Sequence, residues 1–559
     1  MSRMRDRLVA LAIALVVSVV TLAASTSLGL TRDEAYYMDA GEIYTAYIDG
    51  ALTGRLASPM SDAAIAPYWS YNREHPPLLK TLYGVSWRLL HRCTCAVDPS
   101  LHPAAARIST GGHTTLGVLS EITAFRVPTA VFFGVTCALV YLFFLDALGS
   151  RWGAVVAALL MAAQPRAFFH AQTASFDLPV ATLWLAATAA YWRALGTTGW
   201  RRPVVVGLLF GLCLATKLQS FLLPAALCAH AAWLVARRQW PQVRAALRSF
   251  VVMAVAGPVM LFALWPWLWH DTVARFLWYV RFHLEHVHYN FEYLGTNWNQ
   301  APYPWHEPLG MLVFTAPVVL LVLAAAGAAL LARPAAPGVV DDGRCTRALL
   351  LVAGVVPVGL FLLGQQPIYG ETKHWLATMP FLALAAGYAF DRLQVGLSRE
   401  LQAWSRSTRT ALLTALVVAT VLPAVVETAH SQPYGLSEYN ALAGGPAGGA
   451  DLGMNRQFWG YSVRALLPWF NRELPKGARL YPHDWNHDSW ELYVRDGLLR
   501  PDLVDAGQVA GSDAAIVVHE KHFAEYDYQI WQEYGHVQPS EVLTLDGVPL
   551  VSVYTRTPR

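Results

Sequence analysis

Two adjacent carboxylates, Asp33 and Glu34, follow the first apolar stretch of the chain. A carboxylate just outside a membrane can take the proton of a hydroxyl group while that hydroxyl attacks an electrophile. The alternative interpretation is a solvated helix end, with Tyr36 and Tyr37 as aromatic anchors among the lipid headgroups. Both interpretations place the acidic pair at a membrane surface.

A second candidate motif follows in the same polar stretch. The dipeptide Pro76-Pro77 fixes the backbone and leaves His75 and Lys80 on either side of a rigid turn. A turn that only precedes an amphipathic helix would show the same pattern. The motif adds an imidazole and an ammonium group to the surface that carries the acidic pair.

Cations stand at predicted helix ends on this side of the membrane, namely Arg126, Lys217 and Lys373. A charge at membrane depth costs about 2.5 kcal/mol or more, so a bound anion would explain their positions. Asp177 opens a further apolar run on the same side. It is interpreted either as a carboxylate that shapes a substrate site or as the N-cap of its helix.

These residue types together suit a sugar donor carried on a lipid phosphate. Cations hold the phosphate, whose negative charge grows as its bond to the sugar breaks. A carboxylate takes the proton of the acceptor hydroxyl. The phosphate leaves without a general acid, so the predicted chemistry requires no further acidic group.

The composition places these residues in a membrane protein. The 559 residues are 55% hydrophobic and 14% charged, whereas soluble domains carry about 25% charged residues. Runs such as residues 8–30, 250–269 and 309–331 have the roughly 20 residues that a transmembrane helix needs. Because helices satisfy their own backbone hydrogen bonds, the sequence predicts an α-helical bundle of about eleven transmembrane helices.

The net charge of +3 arises largely from arginines in short loops between apolar runs. This pattern indicates a cytoplasmic N-terminus and does not indicate nucleic-acid binding. We therefore predict a multi-pass protein of the plasma membrane, in contact with membrane lipids. The predicted segments are a first transmembrane helix (1–30), a large external loop with interfacial helices (31–121), a bundle (122–426) with a second external loop (270–308), and an external domain (427–559).

The last segment is predicted to be a small α/β domain. Alternating apolar residues at 478–481, 514–518 and 542–554 predict strands, and residues 489–496 predict a helical piece between them.

The acidic pair after the first helix, followed by His75-Pro76-Pro77-Leu78 and Lys80, resembles the protein O-mannosyltransferase family of the GT-C superfamily. The bacterial aminoarabinose transferase-like enzymes have similar signatures. The resemblance covers about residues 8–390. It implies a GT-C-like bundle with Asp33 as the catalytic base and Glu34 beside it.

The resemblance also extends to softer positions. Arg126 matches an Arg-x-Pro motif of the family, Lys217 resembles a lysine that contacts the donor phosphate, and Asp177 resembles an acidic residue of a short external loop. Members of this family need no metal. From these motifs we predict substrate-shaping roles for His75 and Asp177. The predicted phosphate-binding cations are Lys217, Arg126, Lys80 and Lys373.

The sequence thus predicts an inverting glycosyltransferase that moves a sugar from a polyprenyl-phosphate donor to a hydroxyl acceptor on the external face. Mannose is favoured by the resemblance, and the acceptor can be a protein, a lipid or a glycan. The alternative is a transporter or flippase of lipid-linked sugars. Transporters usually place charges near the membrane midplane, whereas the charges here gather at one face.

Three further side chains in the second external loop could contact a ligand. On a helix, His283 and His286 would share a face and could bind a divalent cation, but Glu285 would not lie with them. We therefore predict that no cofactor is required. Trp298 either stacks on a sugar as a substrate-shaping residue or anchors the loop among headgroups.

Overall fold

The computed structural model describes residues 2–91, 116–333 and 343–556. Part of the predicted first external loop, residues 92–115, lies outside the described residues, as do residues 334–342 of the predicted bundle. Four helices precede the first of these gaps: α1 (Ser2–Ser25), α2 (Arg32–Leu52), α3 (Asp62–Trp69) and α4 (Leu78–Leu90).

Helix α2 carries the acidic pair in its first turn. Glu34, its third residue, reaches back so that the backbone N–H of Thr31 donates to Glu34 Oε2 at 3.2 Å, as in a capping box. Helix α4 crosses α2 closely, because Gly41 and Gly84 face each other. A Cβ atom on Gly84 would lie 2.0 Å from the Gly41 carbonyl oxygen, so this contact requires glycine.

Helices also dominate the middle of the chain. They are α5 (Glu121–Leu148), α6 (Arg151–Ala162), α7 (Pro165–Ala171), α8 (Asp177–Ala194), α9 (Arg201–Leu214), α10 (Leu223–Ala236), α11 (Trp240–Leu264), α12 (Thr272–Leu284), α13 (Glu307–Thr315), α14 (Val318–Ala332), α15 (Thr346–Gly359), α16 (Met379–Glu400) and α17 (Arg406–Ser431). Short 3-10 helices include Leu218–Leu222 and Glu371–Thr378. A hairpin of β1 (Phe291–Tyr293) and β2 (Thr296–Trp298) lies in the predicted second external loop.

The chain is a multi-pass membrane protein. Among the described residues, five helices are long and apolar enough to cross a membrane, and a sixth span results if α6 and α7, bent by 68°, count as one. The side chains of Leu8, Leu15 and Val19 on α1 are more than half exposed, and lipid is the medium that suits such a surface. Several predicted spans form shorter helices, such as α9 and α15 with 14 residues each, so the count of eleven remains a prediction.

The residues after α17 form a mixed α/β unit. Its helices are α18 (Gly445–Asp451), α19 (Leu467–Glu473), α20 (His487–Arg495) and α21 (Ala524–Tyr534), and its strands are β3 (Arg479–Pro482), β4 (Val504–Asp505), β5 (Ala514–Val518), β6 (Glu541–Leu545) and β7 (Val548–Thr555). The sheet order is β4-β3-β5-β7-β6. Strands β3, β4 and β5 are parallel, and β7 runs antiparallel to both β5 and β6.

This C-terminal unit contacts the start of α2. The Arg32 N–H donates to the Trp459 carbonyl at 2.9 Å, and Asn486 Nδ2 donates to the Arg32 carbonyl at 2.8 Å. The Leu30 N–H donates to the Tyr493 hydroxyl at 2.6 Å. The acidic pair therefore lies at the contact between the N-terminal helices and the C-terminal unit.

Candidate active site

A cavity of about 350 Å³ lies where the start of α2, the turn before α4 and the C-terminal unit meet. The predicted site residues Asp33, His75, Asp177, Lys217, Lys373 and His286 line it. These residues come from positions 33 to 373 of the chain, so the fold gathers them from distant segments. Glu520 and His522 of the C-terminal unit also line the cavity.

Asp33 is the second residue of α2, and about one third of its side chain is exposed. The distance from Asp33 Oδ2 to Lys373 Nζ is 3.5 Å, whereas a charge-assisted hydrogen bond measures about 2.7–2.9 Å. The contact is therefore weak. It leaves the Asp33 carboxylate accessible to a hydroxyl group that enters the cavity.

Lys373 lies within an aromatic enclosure. Its Nζ is 4.1 Å from the ring centre of Trp459 and 4.9 Å from that of Tyr369. Burial lowers the pKa of Lys373, although Asp33 opposes the shift. Trp459 has a φ of +85°, a backbone conformation that is strained for a bulky side chain. The strained residue thus forms one wall of this enclosure.

Lys217 and Asp177 also line the cavity and form an ion pair. Lys217 immediately precedes the 3-10 helix Leu218–Leu222, and Asp177 is the first residue of α8. The N-cap position of α8 belongs to Phe176 and makes no side-chain capping bond. The N-cap interpretation of Asp177 is therefore wrong, and its carboxylate instead accepts from Lys217.

His75 lines the cavity beside two aromatic rings. Its ring centre lies 5.6 Å from that of Tyr37 and 5.2 Å from that of Phe176. Burial, together with the charge of Lys80, lowers the pKa of His75 well below its usual value. A neutral imidazole can donate one hydrogen bond and accept another, which suits a role in shaping the site.

Lys80 does not line the cavity, which corrects the prediction that it binds phosphate. The ammonium group is fully buried and donates to the Asn72 carbonyl, to Asn72 Oδ1 and to the His75 carbonyl. These three bonds use every N–H of the group. Lys80 therefore holds the turn that presents His75, and burial lowers its pKa to about 7.

Arg126 and Glu34 require a second correction. Both side chains are buried, with 1% and 0% exposure, and form an ion pair. The five guanidinium N–H groups donate to Glu34 and to the carbonyls of Ser25, Leu28 and Gly29. Neither residue lines the cavity. This pair holds the segment between α1 and α2 in place. Because all five N–H groups donate within the protein, Arg126 has no donor left for a phosphate.

The second external loop departs from expectation in two ways. Helix α12 ends at Leu284, so His286 lies beyond it and does not share a helical face with His283. Trp298, on β2, is absent from the cavity lining and packs against the hydrophobic core. The substrate-shaping role of Trp298 is therefore not supported.

The two histidines of this loop contact other groups of the protein. His283 Nε2 lies 2.8 Å from the Glu74 carbonyl oxygen, and the ring of His286 stacks on Tyr369. Within residues 2–91, 116–333 and 343–556, no three His, Cys, Asp or Glu side chains are grouped to hold a metal. Independence from a metal remains a prediction.

The sequence interpretation missed the contribution of the C-terminal unit. Arg32 forms an ion pair with Asp484, and Glu520 and His522 follow strand β5. The sequence signal that could have identified Glu520 and His522 is their position directly after the apolar run at 514–518. Loops at strand ends often carry functional side chains.

Comparison with known proteins supports the resemblance for the middle of the chain. Residues 103–269 match the family described as dolichyl-phosphate-mannose-protein mannosyltransferase. The matched segment includes Arg126, Asp177 and Lys217 and confirms the resemblance to these glycosyltransferases. No curated protein matches the chain.

Three solved structures are similar to this chain at low identity. ArnT from Cupriavidus metallidurans bound to undecaprenyl phosphate is 14% identical with a TM-score of 0.49, and the match covers 98% of this chain and 97% of that one. The oligosaccharyltransferase of Archaeoglobus fulgidus is 12% identical with a TM-score of 0.49, covering 94% and 72%. The S. cerevisiae protein O-mannosyltransferase Pmt1-Pmt2 complex is 16% identical with a TM-score of 0.30, covering 50% and 34%.

Proposed function

We propose that this protein is an inverting glycosyltransferase of the plasma membrane. It transfers a sugar from a polyprenyl-phosphate donor to a hydroxyl acceptor on the external face, and mannose is the sugar that the family resemblance favours. The observation that carries the proposal is the meeting of Asp33, Lys217 and Lys373 in one cavity. A base and two cations are what this transfer requires.

The lysines supply the phosphate-binding groups. An ammonium group has three N–H donors. Among the described contacts, Lys217 donates to Asp177 and Lys373 donates to Asp33, one bond each. The remaining donors are available to phosphate oxygens. Lys80 and Arg126 differ in this respect, because their donors are fully used within the protein.

The reaction follows from this arrangement. The acceptor oxygen attacks the anomeric carbon, the bond from that carbon to the phosphate oxygen breaks, and the phosphate leaves with the electron pair. Asp33 takes the acceptor proton as the new glycosidic bond forms, because the hydroxyl becomes acidic only during attack. A single displacement inverts the anomeric configuration.

Transfer of labelled sugar from polyprenyl-phosphate mannose into envelope fractions tests the proposal. Membranes carry the wild type, Asp33→Asn, or Asp451→Asn at equal expression. Asp451 is an exposed carboxylate of α18 outside the cavity, so its variant controls for the chemical change. We expect Asp33→Asn to lower transfer by about 10²- to 10⁴-fold and Asp451→Asn to leave it unchanged.

Equal transfer by Asp33→Asn and the wild type would refute Asp33 as the base. Movement of the labelled lipid across the membrane without transfer would instead favour the transporter.

A further inference from the structure

The segment after strand β5 brings a buried carboxyl group to the cavity. The side chain of Glu520 is 4% exposed and lines the cavity. Its Oε2 lies 3.8 Å from His522 Nδ1, and its Oε1 has no hydrogen-bond partner among the residues described. Burying a polar atom without a partner is costly. Glu520 therefore keeps hydrogen-bonding capacity that the described residues do not use.

The backbone around Glu520 is held in place. The His519 N–H donates to the Leu550 carbonyl at 2.9 Å, and the Phe523 N–H donates to the Glu520 carbonyl at 2.9 Å. The Lys521 N–H donates to Glu292 of strand β1. Glu520 is thus fixed from both sides and pre-organised for binding, which reduces the entropy lost when a ligand binds.

The surroundings favour the neutral form of the carboxyl group. Burial raises the pKa of Glu520 well above its usual value, nearby Asp484 raises it further, and Arg32 opposes the shift. Burial lowers the pKa of His522 to about 4, so its imidazole is neutral too. A protonated carboxyl group both donates and accepts hydrogen bonds, as a sugar hydroxyl does.

The cavity lining therefore combines two chemically different sets of side chains. Lys217 and Lys373 lie on the helical bundle and suit the phosphate, whereas Glu520 and His522 lie on the C-terminal unit and suit uncharged polar groups. Asp33, on the start of α2, lines the same space. A donor whose phosphate contacts the lysines therefore places its sugar in the cavity that Asp33 and Glu520 also line.

We propose that Glu520 is a specificity-determining residue that binds a hydroxyl group of the donor sugar, with His522 beside it. This inference rests on the proposed glycosyltransferase function and adds the C-terminal unit to the donor site. Glu520 contacts the sugar and does not contact the phosphate or the acceptor.

Equilibrium binding to the full-length protein in nanodiscs tests the inference with two probes, polyprenyl-phosphate mannose and polyprenyl phosphate without sugar. We expect Glu520→Ala to weaken binding of the first probe by about 3- to 10-fold, as for one lost hydrogen bond, and to leave binding of the second unchanged. Glu520→Gln keeps a donor and an acceptor and should bind both probes as the wild type does. Glu525→Ala removes an exposed carboxylate of α21 and serves as the control.

Unchanged binding of the sugar-bearing probe by Glu520→Ala would overturn the inference, as would equal weakening of both probes. A Glu520→Ala variant that binds both probes as the wild type does, but needs a higher acceptor concentration for transfer, would also overturn it. If the wild type binds neither probe, the proposed function itself is refuted. Failure of the inference and failure of the proposed function are therefore distinguishable.

Discussion

The four cations predicted to bind phosphate differ in how many N–H donors remain free. We expect Lys217→Met and Lys373→Met each to weaken binding of polyprenyl phosphate by about 10- to 100-fold, because a hydrogen bond to a charged group contributes about 1.5–3 kcal/mol. Equilibrium binding in nanodiscs measures this effect. Lys476→Met, at an exposed lysine of the C-terminal unit, is the matched control. Wild-type affinity in both cavity variants would exclude the two lysines as phosphate ligands.

Arg126 and Glu34 are predicted to act on stability. Removal of one partner from a buried ion pair costs about 3–5 kcal/mol because the other charge remains uncompensated. Arg126→Met should therefore lower the thermal unfolding midpoint strongly, and adding Glu34→Gln should recover part of the loss. Thermal unfolding in detergent compares the single and double variants. A double variant less stable than Arg126→Met would contradict the pairing.

Glu520 gives the stability of the protein a specific pH dependence. Its pKa is raised in the folded state, so unfolding releases its proton once the pH exceeds the unfolded value of about 4.3. Stability therefore falls as the pH rises from there through the folded pKa. The charged or titratable groups around it are Asp484, Arg32, Glu292, Glu371 and His522.

Glu520→Gln cannot ionise and removes this loss of stability. The variant should gain stability relative to the wild type between pH 5 and pH 8 in a series of unfolding midpoints, with Glu525→Gln as the control. If the difference in unfolding midpoint between Glu520→Gln and the wild type stays constant across the pH series, Glu520 is ionised in the folded protein.

The sequence identified individual site residues better than their partners. Asp33, His75, Asp177, Lys217 and Lys373 were predicted and line one cavity. Their pairings join residues up to 340 positions apart, and no local pattern encodes such contacts. A buried charge that binds a ligand and one that binds another side chain look the same in sequence. The Glu34–Arg126 and Lys80 roles were therefore misassigned.

Local elements followed sequence patterns more closely. The amphipathic helix considered after the Pro76-Pro77 turn is α4 (Leu78–Leu90), and the apolar run at 514–518 is β5 (Ala514–Val518). The run at 542–554 was predicted as one strand but forms the hairpin β6–β7. Asp546 and Gly547 have φ of +48° and +79°, and Asp-Gly is a strong hairpin turn signal that the interpretation overlooked.

The contact of α2 with α4 should not tolerate a side chain at Gly84. Gly84→Ala places a Cβ atom against the Gly41 carbonyl oxygen, so α4 must shift and displace Lys80 with the turn that it holds. We expect a loss of about 1–3 kcal/mol in stability and reduced sugar transfer. Unfolding midpoints and the transfer assay measure both effects.

Gly396→Ala in α16 is the matched control, because a Cβ atom added at Gly396 would have no atom within 4 Å among the described residues. Gly84→Ala with wild-type stability would show that the two helices have room to separate.

The assembled chain places a helical membrane region against an α/β unit, and the cavity lies between them. The proposed mechanism requires this α/β unit to be external. An alkaline phosphatase fusion after Thr555 should therefore be active. A fusion at Trp404 should be inactive, because Trp404 precedes the candidate span α17 and lies on the opposite side of the membrane in this orientation. Reporter activity measured in intact cells tests both positions. The reverse pattern would move the cavity to the cytoplasmic face and refute the proposed orientation.

The most direct test separates donor binding from chemistry in purified Asp33→Asn. Donor affinity and the rate of a single turnover are measured in nanodiscs with polyprenyl-phosphate mannose and an acceptor fraction that the wild type modifies. The proposed mechanism predicts donor affinity near that of the wild type and a turnover rate at least about 100-fold lower, because the variant keeps the lysines and loses the base. Turnover at the wild-type rate would contradict the assignment of Asp33 and with it the proposed mechanism.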